Sequence, residues 1–274
     1  MPEIPELEAM IAVLNTRVAG QKVSTAEVRI PVVVRRPPKE EFVRLLTGNT
    51  FTRAERKGKF VLLRFKSGHL LAVHLMLTGR LQLSRSRDDV PKRTGWRITF
   101  ENGRELRYFD EKVDGKAYLV SEAERQEVPR LDGTGLDALD PRLTKQEFLT
   151  RIRRYPGQVK HTLTNDAFIT GIGNAYADEI LFEARIYPFT RGRELKAEQL
   201  ATLYDAIHTV YAWAIPVVAE RMGETISEKV RDFLKVHRKG GTPCPRCGST
   251  IAEIEPNGRI TSYCRTCQPG GLFK

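Results

Sequence analysis

The sequence predicts an α+β protein of several domains: an antiparallel β-sandwich with a flanking helix, a helical domain, and a C-terminal β-hairpin module. Three observations predict this order. Short strand-like runs fill the first part of the chain, helical periodicity follows from about residue 142, and four cysteines stand near the C-terminus. Short strands at regular spacing, with turn signals between them, are typical of a sandwich or barrel.

The β-rich part is predicted to cover residues 1–121, with a helix of about Glu6–Val18 ahead of the strands. Ser67-Gly68 and Asn102-Gly103 separate neighbouring strands, and Asn-Gly is a strong signal for a hairpin turn. The predicted strands are Val23–Ile30, Phe60–Phe65, Leu70–Leu75, Leu81–Leu83, Arg97–Phe100, Leu106–Phe109 and Ala117–Val120.

Residues 122–141 carry charges, Gly and Pro with few apolar runs, and this composition predicts a linker. A helical domain over residues 142–237 follows. Thr144-Lys-Gln-Glu147 forms a capping box for a helix that runs to about Tyr155.

Three more helices are expected in this domain. Asn174 is a good N-cap for a helix of about Ala175–Ala184. A long helix of about Ala197–Arg221 should be kinked or broken at Pro216. A last helix, about Ser227–His237, leads to Gly240-Gly241 and the module of residues 238–274.

The cysteines form two pairs, Cys244-Pro-Arg-Cys247 and Cys264-Arg-Thr-Cys267, with sixteen residues between them. This spacing fits a tetrahedral site of four thiolates that binds zinc. Two disulfides or a redox-active pair are the alternatives, but the segment opens no strand–helix unit and nothing marks the chain as secreted. Because a site with four cysteine ligands is closed, one structural zinc is expected to order a finger hairpin.

The formal net charge is +11, and residues 231–274 contain eight Lys or Arg against three acidic residues. A basic protein of this kind favours a polyanionic partner, and a basic zinc module favours nucleic acid. No stretch is long and apolar enough to span a membrane, and the acidic N-terminus does not resemble a signal peptide. We therefore expect a cytoplasmic, nucleoid-associated protein without a membrane partner.

Three motifs carry a resemblance to a known family. They are Pro2-Glu3-Ile4-Pro5-Glu6-Leu7-Glu8, Gly171-Ile-Gly-Asn174-Ala-Tyr-Ala-Asp-Glu179, and Arg259-Ile-Thr-Ser-Tyr-Cys264-Arg-Thr-Cys267. In this order they resemble the formamidopyrimidine-DNA glycosylase family, which also contains the endonuclease VIII-type enzymes. The resemblance covers essentially the whole chain. Ile4 is similar to the formamidopyrimidine branch, because the other branch usually has Gly there.

The resemblance implies a bifunctional DNA glycosylase and abasic-site lyase of base excision repair. Such an enzyme excises oxidised bases, namely formamidopyrimidines and 8-oxoguanine, from double-stranded DNA, and we expect it to act as a monomer. After removal of Met1, the amine of Pro2 forms a Schiff base with the sugar, and β,δ-elimination follows. The resemblance assigns proton transfer to Glu3 and a supporting position to Glu6.

The resemblance also implies a set of groups that contact DNA. Lys59 matches a catalytic lysine that contacts phosphate, although Lys57 is close enough to be confused with it. His74 precedes a loop in which Leu77, with Met76 beside it, matches an apolar wedge in the DNA stack.

In the helical part, the resemblance implies a helix–two-turn–helix domain. Lys160 stands fourteen residues before Asn174, and this separation matches a pair that clamps the phosphate next to the lesion. Arg259 at the finger's turn is implied to bind phosphate and to assist the second elimination.

One loop departs from the family pattern. Where the family usually carries Asp-Pro-Arg-Arg-Phe-Gly, this chain has Asp110-Glu-Lys-Val-Asp-Gly115. Val113 replaces the Arg that pairs with the orphaned base, Asp114 replaces a Phe, and Lys112 is the remaining charged candidate. Gly95 also stands where a DNA-contacting His is usual. The sequence therefore supports strand-cleavage chemistry better than recognition of the opposite base.

Two alternatives stay open at this point. One is an endonuclease VIII-type preference for oxidised pyrimidines or abasic sites. The other is a DNA-binding protein without catalysis on the same scaffold, which the joint presence of Pro2, Glu3, Lys59 and Arg259 disfavours.

Overall fold

The computed structural model describes residues 1–133 and 135–270, so the last four residues of the predicted finger module lie outside it. The chain divides into two units. The first unit comprises Met1–Asp132 and Ile215–Val230, and the second comprises Gly133–Ala214 and Arg231–Lys274. The division near residue 132 falls inside the segment that was predicted to be a linker.

The first unit contains a β-sandwich flanked by helices. Its elements are α1 (Ile4–Val18), β1 (Val23–Val28), β2 (Val34–Arg36), α2 (Lys39–Leu46), β3 (Phe51–Lys57), β4 (Phe60–Phe65), β5 (His69–His74), β6 (Arg80–Arg85), β7 (Thr94–Phe100), β8 (Arg104–Phe109) and β9 (Lys116–Ser121). One sheet has the strand order β1-β7-β8-β6, and the other has β2-β9-β5-β4-β3. Every pair is antiparallel except β2 with β9, so the predicted antiparallel sandwich is confirmed with one parallel edge pair.

Aromatic residues fill the space between the two sheets. The rings of Phe51 and Phe100, one from each sheet, meet edge-on with centroids 6.1 Å apart. Trp96 and Tyr108 stack with centroids 5.7 Å apart, and both are buried. The opposite face of the five-stranded sheet is covered by Val128 and Leu131, which belong to the same buried cluster as several sheet residues. Val128 and Leu131 are therefore packed against this sheet.

The second unit is built mainly from helices. Its elements are β10 (Leu136–Asp137), α3 (Lys145–Ile152), α4 (Val159–Leu163), β11 (Ile169–Thr170), α5 (Asn174–Glu183), α6 (Ala197–Met222), β12 (Ile251–Ile254) and β13 (Thr261–Cys264). Residues of α6 beyond Ala214 belong to the first unit. Thr144 caps α3 as predicted, because its hydroxyl accepts a hydrogen bond from the Glu147 backbone N–H at 3.2 Å.

Three helix predictions require correction. Gly173 is the N-cap of α5, and Asn174 is the first residue of that helix. Pro216 lies inside α6 and does not break it; the flanking residues Ala214 and Val218 are fully buried, and such packing stabilises a helix against the cost of proline.

Residues Ser227–His237 form no helix, although their sequence is compatible with one. The backbone N–H groups of Lys235, Val236 and His237 all donate to the carboxylate of Glu179, each at 2.9 Å. Because these donors are satisfied by a distant side chain, they are not available for helical hydrogen bonds.

The finger hairpin is confirmed. β12 pairs with β13 in antiparallel register, with Ile251 opposite Cys264 and Ile254 opposite Thr261. A 3₁₀ turn over Pro256–Gly258 joins the strands, and Gly258 has a φ of 71°, which favours glycine. Among the described residues, no helix combines the length and apolar character needed to cross a membrane.

Candidate active site and DNA-contacting groups

The N-terminus is held at the start of α1. Pro2 is buried, and Glu3 and Glu6 are exposed by only 2% and 1%. The backbone N–H of Glu3 donates to Glu6 Oε2 at 2.9 Å, so the Glu6 carboxylate holds the backbone next to Pro2. The amine of Met1 donates to the carbonyl of Leu77 at 3.2 Å. The structure thus brings the predicted nucleophile segment to the loop that contains the predicted wedge.

Lys59 lies in the two-residue turn between β3 and β4, after Gly58, whose φ is 56°. Its exposure is 8%, whereas the side chain of Lys57 is 37% exposed and lies 3.9 Å from Asp132. An amine kept in a largely buried position suits a reacting group better than a solvated one. This difference supports Lys59 over Lys57 as the candidate lysine.

Arg56 connects the helix of the nucleophile segment with the turn of Lys59. Its Nε donates to Glu8 Oε1 of α1 at 2.7 Å, and its Nη1 donates to the carbonyl of Gly58 at 3.0 Å. The Arg56 side chain is 6% exposed. Sequence reasoning missed this residue, because nothing in the local pattern links residues that are 48 positions apart.

His74 ends β5 beside the same turn. Phe60 is opposite His74 in the β4–β5 register, and their rings meet edge-on with centroids 4.8 Å apart. The Met76 backbone N–H donates to His74 Nδ1 at 3.3 Å. Met76 has a φ of 54°, and Leu77 after it is 57% exposed. Leu77 is therefore presented to solvent at the tip of a short, hydrogen-bonded loop.

Asp110 organises the loop that departs from the family pattern. Its carboxylate accepts hydrogen bonds from the Tyr108 hydroxyl at 2.8 Å and from the backbone N–H groups of Lys112 (3.2 Å), Asp114 (2.8 Å) and Gly115 (2.9 Å). It also accepts one from Thr78 in the Leu77 loop. Burial alone would raise the pKa of Asp110, but bonds from Thr78, Gly115 and Tyr108 lower it below its usual range. One carboxylate therefore holds both loops in place.

Within this loop, Lys112 and Asp114 are exposed and Val113 is half-buried. Val113 has a φ of 56°, a strained conformation for a β-branched residue. The hydrogen bonds to Asp110 on both sides of Val113 hold it in that conformation. No arginine takes the place of the missing one within residues 110–115.

Tyr108 and its neighbours leave no space for side chains at three nearby positions. A Cβ at Gly115 would lie 1.6 Å from the Tyr108 oxygen, and one at Gly79 would lie 2.2 Å from the Leu75 carbonyl oxygen and 2.8 Å from the Tyr108 oxygen. A Cβ at Gly95 would approach Val33 to 2.7 Å and the Tyr108 ring to 3.0 Å. The absence of a histidine at position 95 therefore has a packing cause.

The second unit places Lys160 in a buried network. Its Nζ lies 2.7 Å from Asp178 Oδ1 and donates to the Ile260 carbonyl and to Thr261 Oγ1, both at 2.8 Å. Asn174 Nδ2 donates to the same Ile260 carbonyl at 2.8 Å. Arg259, by contrast, is exposed beside the hairpin turn. The three predicted phosphate-binding residues thus meet at one end of the finger hairpin.

Asp178 and Glu179 are two buried acidic residues that the sequence reading did not single out. Asp178 Oδ2 lies 2.7 Å from His237 Nδ1 and accepts the Ser262 backbone N–H at 3.2 Å. Burial raises the pKa of Glu179, while its three backbone N–H donors act in the opposite direction. Both residues lie in the motif Gly171–Glu179, which also contains Asn174, and that motif is the sequence feature that could have identified them.

The four cysteines converge in the finger. Their sulfur atoms all lie within 4.8 Å of one another, with 3.8 Å between Cys244 and Cys267 and 3.5 Å between Cys247 and Cys264. Zinc–sulfur bonds of about 2.3 Å in a tetrahedron place sulfur atoms about 3.8 Å apart. Backbone N–H groups of Arg246 and Cys267 also point at cysteine sulfurs, each at 3.4 Å. These residues fit one structural zinc.

Three family profiles match successive parts of the chain. They are the formamidopyrimidine-DNA glycosylase N-terminal domain over residues 1–117, the formamidopyrimidine-DNA glycosylase H2TH domain over residues 134–227, and a zinc finger found in FPG and IleRS over residues 241–270. The chain belongs to the formamidopyrimidine-DNA glycosylase family. This confirms the predicted family and, with it, the class of DNA glycosylase.

Individual members of the family match this sequence along nearly its full length. The formamidopyrimidine-DNA glycosylase of Pelotomaculum thermopropionicum is 32% identical over 98% of this chain and 99% of the relative. That of Listeria innocua is 30% identical over 98% and 100%. Both are named for the formamidopyrimidine branch, which supports that branch over the endonuclease VIII-type alternative.

Solved structures of the family match the fold. The formamidopyrimidine-DNA glycosylase of Lactococcus lactis, bound non-covalently to DNA with an abasic site, superposes with a TM-score of 0.87 at 26% identity, covering 98% of this chain and 100% of that one. The same enzyme in complex with DNA containing N7-benzyl-Fapy-dG gives 0.89 at 26% identity with the same coverage.

Proposed function

We propose that this chain excises oxidised bases, formamidopyrimidines and 8-oxoguanine, from duplex DNA and then cleaves the strand at the resulting abasic site. The observation that carries the proposal is the placement of Pro2 and Glu3, buried directly before α1, with the Glu3 backbone fixed by the Glu6 carboxylate. The Lactococcus lactis relative in complex with abasic-site and Fapy-dG DNA supports the substrate class.

The nucleophile in this proposal is the Pro2 amine, which becomes a free secondary amine when Met1 is removed. An N-terminal amine titrates near pH 8, so an appreciable fraction is neutral and nucleophilic at neutral pH. Its nitrogen bonds to the sugar C1′ and the base leaves with its electron pair. After the nitrogen has lost its proton, the C1′–O4′ bond breaks, O4′ takes up a proton from Glu3, and the nitrogen lone pair forms a C1′ iminium.

That iminium acidifies the C2′ hydrogen and makes β-elimination possible. A base removes the C2′ proton, the electron pair forms a double bond to C3′, and the 3′ phosphate leaves. Glu3, adjacent to Pro2, is the proposed proton-transfer group for these steps. Glu6 supports it by fixing the Glu3 backbone. Lys59 is proposed to hold phosphate and to assist elimination.

DNA-contacting groups are proposed in both units. In the first unit these are His74, the wedge Leu77 with Met76, and the exposed Lys112. An exposed leucine at the tip of a fixed loop can occupy the space that a flipped nucleotide vacates. In the second unit, the exposed Arg259 offers a guanidinium fork to phosphate oxygens and assists δ-elimination. Lys160 and Asn174 lie behind it at the same hairpin turn.

We further propose that domains follow the sequence boundaries 1–121, 142–237 and 238–274, and that the protein acts as a monomer in a bacterial cytoplasm, associated with the nucleoid.

The test is borohydride trapping of the mature protein on duplexes that carry 8-oxoguanine, a formamidopyrimidine, an oxidised pyrimidine or an abasic site. A covalent complex should form, and Pro2→Gly should reduce its yield at least about 100-fold. Glu40→Gln, which changes an exposed acidic residue of α2 away from the proposed chemistry, is the matched control. Equal trapping by protein with a chemically blocked N-terminus would refute Pro2 as the nucleophile.

A further inference from the structure

The carbonyl of Ile260 is a shared acceptor in the second unit. Lys160 Nζ and Asn174 Nδ2 both donate to it at 2.8 Å, from residues 100 and 86 positions away in sequence. Ile260 directly follows Arg259, so these two donors fix the Ile260–Thr261 peptide unit, one residue after the residue proposed to hold phosphate. Together with the bond from the Ser262 backbone N–H to Asp178, they attach this end of the finger hairpin to α4 and α5.

The Lys160 ammonium is engaged by two hydrogen bonds and an ion pair. Its nitrogen donates to the Ile260 carbonyl and to Thr261 Oγ1, both at 2.8 Å, and lies 2.7 Å from the Asp178 carboxylate. Lys160 is only 7% exposed. Because the lysine is nearly buried and its charge is paired with a carboxylate, it presents little surface and little net charge to a DNA phosphate.

Asp178 balances the charge of Lys160 inside the protein. It is fully buried, and its second oxygen is held by His237 Nδ1 at 2.7 Å and by the Ser262 backbone N–H at 3.2 Å. A buried carboxylate with these partners keeps the ammonium in place and neutralises its charge locally. Arg259, by contrast, carries its positive charge exposed at this end of the hairpin.

We propose that Lys160, with Asn174, is a positioning residue for Arg259: it fixes the Ile260 carbonyl, and thus the hairpin turn from which the Arg259 guanidinium reaches phosphate, and it does not itself contact DNA. This inference rests on the proposed function and replaces a direct phosphate contact by Lys160. It predicts that Lys160 and Arg259 act on DNA as one unit.

A double-mutant cycle tests the proposal on the full-length, zinc-loaded protein with abasic-site duplex as the probe. Lys160→Met keeps the length of the side chain and removes the donors, and it should weaken binding about tenfold. In the Arg259→Ala background the same change should alter neither the affinity nor its salt dependence. Additive losses, or a salt slope reduced further by about 0.9 in that background, would show a direct contact and overturn the proposal.

Lys145→Met is the matched control, because Lys145 is a half-exposed lysine of the same unit that pairs with Asp205. It removes the same charge and should leave affinity within twofold. Thr261→Val provides a second variant with the lysine intact. If Lys160 positions the hairpin, Thr261→Val should weaken DNA binding, because the Lys160 amine loses one of its hydrogen-bond acceptors. If Lys160 contacts phosphate directly, Thr261→Val should leave DNA binding equal or make it stronger, because one N–H of the Lys160 amine is released. That result would also overturn the proposal.

Hydrogen exchange without DNA separates this proposal from the proposed function. Exchange over residues 255–262 should accelerate at least about tenfold in Lys160→Met and remain unchanged in Lys145→Met, with one zinc bound in both. Unchanged exchange in Lys160→Met would overturn the positioning role even where the wild-type protein cleaves DNA. Accelerated exchange in a protein that fails to trap abasic-site DNA would refute the proposed function and leave the positioning of the hairpin established.

Discussion

The two units hold their proposed DNA-contacting groups in different ways. In the first unit, strand ends and tight turns set the positions: Lys59 lies in a two-residue turn, and Leu77 lies in a loop fastened through Thr78 to Asp110. In the second unit, side chains far apart in sequence meet at one hairpin, whose second strand ends at Cys264 in the four-cysteine cluster. The first arrangement depends on backbone register, and the second depends on a buried ion pair and a metal.

The two units should therefore respond differently to mutation. A β-sandwich with a large buried core tolerates loss of one surface group. A hairpin of two four-residue strands buries too little apolar surface to be stable alone, so it needs the metal and the network around Ile260. We expect the largest effect from loss of the metal site, and smaller effects from changes at Asp110, at Arg259 and in the loop of Val113.

Loss of the metal site should affect only the second unit. Cys264→Ser removes one of four zinc ligands, and structural zinc in finger peptides contributes on the order of 10 kcal/mol to folding. We expect less than one zinc per chain and strongly weakened DNA binding, while the first unit stays folded. Zinc content, affinity for abasic-site duplex and Trp96 fluorescence in a Trp213→Phe background measure this. Metal-free protein with full DNA affinity would contradict it.

Loss of the Asp110 carboxylate should destabilise the first unit. Asp110→Asn places an amide against backbone donors, and the expected loss is about 2–4 kcal/mol at pH 7. Since the pKa of Asp110 is lowered in the folded protein, its contribution is present above the unfolded value of about 3.9 and is lost as pH falls below it. The difference between wild type and variant should therefore narrow between pH 7 and pH 3, and it should vanish only below the lowered folded-state pKa of Asp110.

Urea unfolding followed by Trp96, again with Trp213→Phe, measures this difference at pH 7 and pH 3. Glu101→Gln is the control, because Glu101 is an exposed carboxylate of the same unit that pairs with Lys22. A constant difference between Asp110→Asn and wild type across this pH range would show that packing, and not the charge, carries the effect.

Loss of the Arg259 guanidinium should weaken DNA binding without changing lesion preference. Arg259→Ala removes an exposed charge next to the finger turn and should lower affinity about tenfold for every duplex tested, with the salt slope reduced by about 0.9 per lost phosphate contact. Arg193→Ala, an exposed arginine elsewhere in the same unit, is the control. An effect confined to one lesion would mean that Arg259 contacts a base.

Discrimination by the opposite base should be the smallest effect. A bidentate arginine contact is worth roughly 1–3 kcal/mol of discrimination, and Val113 offers no hydrogen bond in its place. Excision of 8-oxoguanine opposite C, A, G and T should therefore differ by less than about tenfold, or about 1.4 kcal/mol. A stronger preference for C would show that other residues, with Lys112 the first candidate, recognise the orphaned base.

The sequence predicted those features that local patterns determine. Phe60–Phe65 is apolar at every position except Arg64 because β4 is buried on both faces, and its predicted bounds are confirmed. The cysteine spacing identified the zinc site. β3 was missed because it is an edge strand rich in Arg, Glu and Lys, which is how edges avoid association, and such a strand has a weak apolar pattern.

The other differences come from contacts distant in sequence. Ser227–His237 was wrongly predicted as a helix because the Glu179 carboxylate that binds its backbone is 56 or more residues away. The hydrogen-bond partners of Lys160 likewise cannot be predicted from the spacing of residues in the sequence, since Thr261 is 101 positions away. Motif matching identified Lys160 as a site residue, but only the three-dimensional contacts show what its amine binds.

The space around Tyr108 also has a consequence for how this protein can change. Gly115 directly faces the Tyr108 hydroxyl, whereas a Cβ at Gly95 would meet both Val33 and Tyr108. A histidine at position 95 would therefore require both of these side chains to give way, and loss of the Tyr108 hydroxyl would remove one hydrogen bond to Asp110. The effect of a substitution at position 95 should therefore depend on the residues at positions 33 and 108, and through Asp110 on the 110–115 loop.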